Sequence, residues 1–330
     1  MDQVLITEVP ESVMMPFLAL SKFGLFSTNK LKVYIPITIL VLMLASIVFI
    51  AMLQFLNVQK DISVIVRNLE CVLGFSLVLL RMVIVTYHNK DFTRLIQTIK
   101  LFWDPNIRDQ QNKAELIAIR RFIYQLQRLL LLAMLISVSL TAVVSVVQNT
   151  ILTGMWTMEG HEELYRFLII RLCAETVIQF RILSQYLQDL TADGGNEIKA
   201  YVAHHRLILR FVKEFLQAFS LVLLIEVVID GPLICAELLA AFESRYYQVQ
   251  ARHVLVFAFF TLQLAFFCIP ANYITNEALA VSDAVYFSKW YSQHIPDLKV
   301  PLLLMIQNSQ NEITIKAGDL VTINAGTIVN

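Results

Sequence analysis

Long apolar runs recur along this chain, and their lengths predict its architecture. Residues 34–56, 129–147 and 254–275 contain no charged side chain. A helix needs about 20 mostly apolar residues to cross a hydrocarbon core of roughly 30 Å, and it satisfies its own backbone polar groups there. The three runs therefore predict membrane spans. Two further runs, 63–87 and 215–239, predict spans that carry a few charges: Arg67, Glu70, Arg81, Glu226, Asp230 and Glu237.

Residues 166–187 form another apolar segment, whose assignment stays open. Four charged residues lie within it: Arg166, Arg171, Glu175 and Arg181. Such a helix is too costly in lipid, so it is either a span enclosed by protein or a helix that leaves the membrane on one side. No run after Lys299 is long enough to cross a bilayer. We therefore expect an all-α polytopic transmembrane bundle with five or six spans in residues 34–275.

Lysine and arginine residues are unequally divided between the connecting segments. With six spans, 17 of them lie on the side of the N-terminus and 3 on the other side. Short loops rich in Lys and Arg stay in the cytoplasm. The sequence thus predicts a cytoplasmic N-terminal segment at 1–33 and places 276–330 in the cytoplasm. The same bias favours 166–187 as a span, since otherwise the basic segment 188–214 would lie outside.

Two of the cytoplasmic segments are helical in pattern. In the segment 89–128, one helical face is apolar and includes Phe92, Leu95, Ile96 and Ile99. The segment 204–215 runs directly into the span 215–239. We expect the spans to continue below the membrane as amphipathic helices that pack on one another.

Composition supports a membrane protein and argues against several other classes. The chain is 57% apolar and 16% charged, with a mean hydropathy of +0.65, whereas a soluble domain is nearer a quarter charged. Its net charge is zero, which gives no support for nucleic-acid binding. No CxxC, HExxH, GxGxxG or P-loop spacing occurs, so we expect no enzyme activity, catalytic residue, metal site or cofactor. Buried free thiols are expected at all four cysteines: Cys71, Cys173, Cys235 and Cys268.

The third predicted span has a polar face in its outer half. Ser137, Thr141 and Ser145 recur every four residues and so share one side of a helix. Hydroxyls in this arrangement either join neighbouring helices and bond their own backbone carbonyls, or offer hydrogen bonds to a small organic ligand. We predict ligand contact at these three positions.

The last predicted span has an aromatic stripe. His253, Phe257 and Phe260 lie on one face. Aromatic stripes usually pack in a core, but a mostly apolar cavity with few polar groups is also typical of small-molecule sites. We predict ligand contact at these three positions as well.

Two further groups of polar residues have structural interpretations. Glu226 and Asp230 lie one helical turn apart without a basic partner nearby in sequence, which favours a pair facing water or protein over acid–base catalysis. His204 and His205 lie beside Arg206 and Arg210 and have no further metal ligands at suitable spacing. We expect these histidines on a solvated helix face.

The C-terminal third resembles a known family. The motif AVSDAVYFSKWYSQ, with Ser282, Tyr286 and Trp290, is similar to the region below the sixth helix of insect odorant receptors. The following LLLMIQNSQNEITIKAG, with Ser309 and Gly318, resembles the next element of these receptors. PFLALSKFGLF near the N-terminus is similar to the segment before their first helix. The resemblance follows the chain in order, and it is most specific from Ser282 to Gly318.

The resemblance implies a seven-helix protein of the plasma membrane of sensory neurons. Members of the family assemble with a shared co-receptor into tetrameric ligand-gated cation channels, and a volatile ligand binds in the outer half of the membrane. The resemblance places subunit contacts in 276–330, which we assign to Ser282, Tyr286, Trp290, Ser309 and Gly318. Lipid is the remaining partner. We thus expect an odorant receptor subunit that takes part in olfaction and sensory transduction.

The chain departs from the family pattern at its end. Asn330 falls about where the resemblance places the start of the pore-lining helix. This implies a truncated segment, so a non-conducting receptor product is one alternative. A small membrane transporter is the other, since transporters also carry charged residues within their spans. Internal repeats and helices broken by Gly or Pro would favour the transporter, and the sequence contains no such repeat.

Overall fold

The computed structural model describes residues 62–103, 156–188, 195–288, 290 and 296–310, with parts of 34–49, 117–132 and 313–328. The predicted N-terminal segment 1–33 and the predicted span 129–147, apart from Leu132, lie outside the described residues. The first predicted span, 34–56, is described in part as far as residue 49, and its described residues are helical.

Helices make up nearly all of the described chain, in agreement with the predicted all-α fold. After a short apolar helix, Ile37–Ser46, the elements are α1 (Ile62–Tyr87), α2 (Asn89–Ile99), α3 (Trp156–Gln188), α4 (Gly195–Glu243), α5 (Tyr247–Phe287) and α6 (Pro296–Gln310). The antiparallel strands β1 (Lys316–Ala317) and β2 (Val321–Thr322) follow, and then a 3₁₀ helix, Ala325–Ile328.

Three described helices are long and apolar enough to cross a membrane. They are α1 from Asn68 onward, α4 from Glu197 onward, and α5. They overlap the predicted spans 63–87, 215–239 and 254–275, whose boundaries stay a prediction. The helix α3 covers the segment 166–187 but is not one of the three, because charged residues, including Arg171, Glu175 and Arg181, interrupt its apolar sequence.

Two of these helices are much longer than a bilayer is thick. At about 1.5 Å per residue, α4 is about 73 Å long and α5 about 61 Å long. Each helix must therefore continue beyond a hydrocarbon core of roughly 30 Å. The predicted helical extension at 204–215 is confirmed, because these residues lie within α4.

The core lies where α5 packs against α3 and α4, and the shorter elements close it at one end. Helix α2 buries its predicted apolar face, Phe92, Leu95, Ile96 and Ile99. The Phe92 ring contacts Phe219 of α4 edge-on, with 4.7 Å between the ring centroids. An amphipathic helix buries such a stripe to remove apolar area from water, so α2 packs against α4 near the start of the predicted span 215–239.

The C-terminal hairpin is fixed to α4 by one serine and one glycine. The Gly318 N–H donates to Ser220 Oγ at 2.8 Å, and Ser220 Oγ donates to the Lys316 carbonyl at 3.1 Å. Gly318 has φ of 57°, and a Cβ there would lie 2.4 Å from Leu224 Cδ2. The backbone conformation therefore favours glycine, and any larger residue would also have to displace the end of the Leu224 side chain.

Candidate functional site

Four charged or ionisable side chains meet near the connection between α4 and α5. Arg252 Nη2 lies 2.5 Å from Glu70 Oε2 of α1, and His253 Nδ1 lies 2.7 Å from Glu237 Oε2 of α4. His253 and Glu237 are fully buried. Because Arg252 and His253 are adjacent in α5, this first polar layer joins the beginning of α5 to both α1 and α4.

A second polar layer lies deeper in the bundle and joins the same three helices. Arg81 of α1 forms an ion pair with Glu226 of α4, and Gln263 of α5 donates to Glu226 Oε2 at 3.4 Å. Asp230 is fully buried one helical turn from Glu226. Of the two expected environments, protein or water, the structure shows protein: both Glu226 and Asp230 are buried.

The two layers define the register of the three helices. Arg81 follows Glu70 by 11 residues, and Gln263 follows Arg252 by 11 residues. Helices α1 and α5 therefore run parallel, and α4 runs antiparallel to both. His253 lies about 9 Å along α5 from its first residue, and Gln263 lies about 24 Å along it.

Ion pairing keeps these charges tolerable in an apolar bundle. Charged side chains within a membrane are costly and usually face the bundle interior, where they pair with one another. Removing one partner of a buried pair costs about 3–5 kcal/mol, because the other charge stays buried without compensation. The layers consequently hold α1, α4 and α5 in one arrangement.

The aromatic stripe on α5 lies between the two layers and continues past the second. Phe260, Leu264 and Phe267 are buried, and Phe257 is half-buried. These side chains form an apolar surface. The polar groups nearest to it are those of the two polar layers. A few polar groups within an apolar, aromatic surface are the usual chemistry of a small-molecule site.

The predicted ligand-contact residues are only partly described. Ser137, Thr141 and Ser145 lie outside the described residues. His253, Phe257 and Phe260 share the predicted stripe, but His253 bonds Glu237 and is not exposed. Ligand contact at all six positions stays a prediction.

Sequence reasoning missed the partners of His253 and Arg252. The charges at Glu70 and Glu237 were recognisable, but their partners lie 182 and 16 residues away in the chain. The nearer partner could have been found from the short α4–α5 connection. In an antiparallel helix pair, a residue a few positions before the turn faces one a few positions after it.

Outside the predicted spans, His204 and His205 contradict the expectation of a solvated helix face. Both are buried: the His204 ring stacks on the Trp103 indole at a centroid distance of 3.7 Å, and His205 Nε2 lies 3.2 Å from Ser309 Oγ. Burial lowers the pKa of each imidazole to about 4. Trp103 and Ser309 cover the face that α4 alone would expose.

The predicted subunit-contact residues mostly engage their own chain. Ser282 and Ser309 are buried, and Trp290 packs against the core. Gly318 contacts α4 as described above, whereas Tyr286 is exposed near the end of α5. A role in subunit contact stays a prediction for all five.

The cysteines divide into two groups. Cys173 and Cys268 are buried free thiols, as expected. Cys235 is exposed, which contradicts the expected burial, because it lies on the outward face of α4 with Leu238 and Leu239. The side chain of Cys71 lies outside the described residues. In the part of the chain that the structure describes, no three His, Cys, Asp or Glu side chains gather as metal ligands.

Comparison with solved structures shows the fold. The insect olfactory receptor OR5 from Machilis hrabei is similar with a TM-score of 0.75 and 13% sequence identity, over 91% of this chain and 85% of that one. The same receptor in complex with eugenol gives a TM-score of 0.74 and 13% identity, over 92% and 86% of the two chains. At this identity the likeness concerns the fold alone. A comparison with curated proteins gave no match.

The family itself is shown by the sequence. Residues 164–330, half of the chain, match the family described as 7tm Odorant receptor. This region contains α4, α5, α6 and the hairpin, and thus the α4 and α5 parts of both polar layers. The chain belongs to the 7tm odorant receptor family.

Proposed function

We propose that this protein is an odorant receptor subunit that binds a small volatile organic ligand and, with a co-receptor, gates a cation channel in the plasma membrane of sensory neurons. Membership of the 7tm odorant receptor family over residues 164–330 carries this proposal. The fold supports it, since the similar receptor from Machilis hrabei is an olfactory receptor with a structure in complex with eugenol.

The ligand site is proposed at the aromatic stripe of α5 near the first polar layer. In this proposal Phe257 and Phe260 supply apolar contact area, and the hydroxyls of Ser137, Thr141 and Ser145 in the third predicted span supply hydrogen bonds. The predicted orientation places this end of the bundle in the outer half of the membrane. The pair His253–Glu237 holds α4 and α5 together beside the stripe.

In this proposal, gating depends on a difference between the ligand's affinities for the closed and the open state. A ligand shifts an equilibrium between closed and open states only if it binds one of them more tightly. The stripe lies on α5, which also packs against α6 and the C-terminal 3₁₀ helix. A displacement of α5 on ligand binding would therefore reach the region where subunit contacts are proposed.

Ligand binding by this chain in nanodiscs tests the proposal. Volatile alcohols, esters, phenols and amines are screened by their effect on unfolding. At a concentration of about 100 times its Kd, a true ligand raises the free energy of unfolding by about 2.7 kcal/mol. A ligand found this way should evoke a current when the chain is co-expressed with the co-receptor, and none with the co-receptor alone. If no compound of the panel stabilises the protein or evokes current, the proposal is wrong.

A further inference from the structure

The connection between α4 and α5 ends in exposed aromatic side chains. Phe242 is 79% exposed, Tyr246 77% and Tyr247 89%. Arg245 lies among them and is also exposed. We call Phe242, Tyr246 and Tyr247 the aromatic tip. Three large exposed aromatic residues at one turn are unfavourable in water, since their apolar area stays hydrated.

A second set of exposed tyrosines lies farther along the bundle from the aromatic tip. Tyr87 is the last residue of α1, and Tyr273 lies on α5. The exposed large hydrophobic side chains of α5 between the aromatic tip and Tyr273 are aliphatic: Val254, Leu255, Leu262 and Ile269. An aliphatic belt with tyrosines at both borders is the pattern of a lipid-facing surface.

The spacing of the two sets matches a bilayer. Tyr273 follows Tyr247 by 26 positions (273 − 247), which is about 39 Å along a helix. A bilayer is about 30 Å thick in its hydrocarbon core and about 40–45 Å with its headgroup regions. The register set by the polar layers places Tyr87 level with Ile269, one helical turn from Tyr273. Both tyrosine sets thus lie at the depth of an interface.

We propose that the aromatic tip is an anchor that inserts into the phospholipid headgroup region beside the α4–α5 connection. Tyr246 and Tyr247 place their rings against the upper acyl chains and their hydroxyls among phosphates and water, as tyrosines do at membrane borders. Arg245 pairs with lipid phosphate, which it can approach with two N–H groups at once. The occupant is therefore lipid and not a second protein.

The anchor sets the depth of the first polar layer. His253 follows Tyr247 by six positions, about 9 Å, so its pair with Glu237 lies just inside the hydrocarbon region. There water no longer competes for the ion pairs. A tip that moved away from the interface would draw this layer toward the headgroups.

Depth-dependent quenching of tryptophan fluorescence tests the anchor. Tyr247→Trp is compared with the unsubstituted chain in phosphatidylcholine nanodiscs that carry a nitroxide either on the headgroup or deep in the acyl chain. Two variants calibrate the depth: Leu262→Trp, on the aliphatic belt, and Lys199→Trp, exposed at the far end of α4. Leu262 and Lys199 are both exposed, so a larger side chain at either position displaces no buried group and the folded state is retained.

The headgroup nitroxide should quench the Tyr247→Trp signal at least about twofold more strongly than the deep nitroxide does, and Leu262→Trp should show the reverse order. Lys199→Trp should respond to iodide in the water and to neither lipid. If Tyr247→Trp responds to iodide as Lys199→Trp does, the tip lies in water and the proposal is overturned. If it responds to no quencher, another protein surface covers the tip, and the proposal is overturned as well.

Discussion

The spans and their extensions beyond the membrane bury polar side chains in different ways. Within the spans, the two polar layers keep charged groups and pair them across helices, as in Arg252–Glu70 and Arg81–Glu226. In the extension of α4, His204 and His205 are buried as neutral rings that stack on Trp103 or bond Ser309. Carboxylates and guanidinium groups need a partner charge when buried, whereas an imidazole can lose its proton instead.

The spans and the α4 extension therefore determine different features of the structure. Ion pairs between three helices fix their register, since a shift by one residue would leave charges unpaired. Neutral histidines fix a local surface, since stacking and one hydrogen bond need only shape and a single acceptor or donor. The two regions should therefore respond differently to mutation and to pH.

The largest effect is expected when one ion pair of the second layer is broken. Arg81→Met leaves Glu226 buried with Gln263 as its remaining described bonding partner. We expect the free energy of unfolding to fall by about 3–5 kcal/mol. The double variant Arg81→Met/Glu226→Gln should regain most of this loss, because no charge is left without a counter-charge. Unfolding in mixed detergent–SDS micelles measures both.

An ion pair within α4 whose arginine is exposed provides the control. Arg210 and Glu214 lie one turn apart at 2.9 Å, and their side chains are 71% and 16% exposed. Arg210→Met should cost at most about 1 kcal/mol, because the charge that it removes is in contact with water. Equal losses in Arg81→Met and Arg210→Met would contradict the role of the second layer.

A second prediction concerns acid sensitivity in the α4 extension. His204 and His205 have pKa values of about 4 in the folded protein and an ordinary value of 6.5 when unfolded. Between these values the unfolded chain binds more protons, so the free energy of unfolding falls as the pH drops from 6.5 toward 4. The loss is on the order of 2 kcal/mol per ring.

The pH dependence of the double variant His204→Phe/His205→Leu isolates these two rings. Carboxylates titrate in both proteins, so their contribution cancels in the difference. The variant should lose less stability over this range than the unsubstituted chain. Identical pH profiles would show that folding does not lower the pKa of either histidine, and this outcome would contradict the prediction.

The sequence predicted the helical fold well because its signals are local. The charge-free run 254–275 and the apolar face Phe92–Ile99 each predicted a helix from the spacing of apolar residues alone. The charge partners were beyond such reasoning, since Glu70 and Arg252 are 182 residues apart. The burial of His204 was equally hidden, because it depends on Trp103, which belongs to another segment of the chain.

The third prediction tests whether the stripe of α5 forms the ligand site. Phe257→Ala should raise the half-maximal concentration of an activating or stabilising ligand by about tenfold, equivalent to about 1.4 kcal/mol, since a half-buried ring is removed from the site. Phe259→Ala is the control, because Phe259 is also half-buried but points to another side of the helix. Similar shifts in both variants would place the ligand elsewhere.

The smallest effect is expected at Ser309, and it separates two roles for the predicted contact residues. Ser309→Ala removes the hydroxyl that lies 3.2 Å from His205 Nε2, and it should lower the free energy of unfolding by about 1 kcal/mol. Ser282→Ala is the matched control. Its hydroxyl donates to the Leu279 carbonyl within the same helix at 2.9 Å, so its loss should cost less. If both serines only stabilise the fold of their own chain, association with the co-receptor, measured by co-purification, stays unchanged in both variants. A variant that keeps its stability but loses the co-receptor would instead assign that serine to the subunit contact.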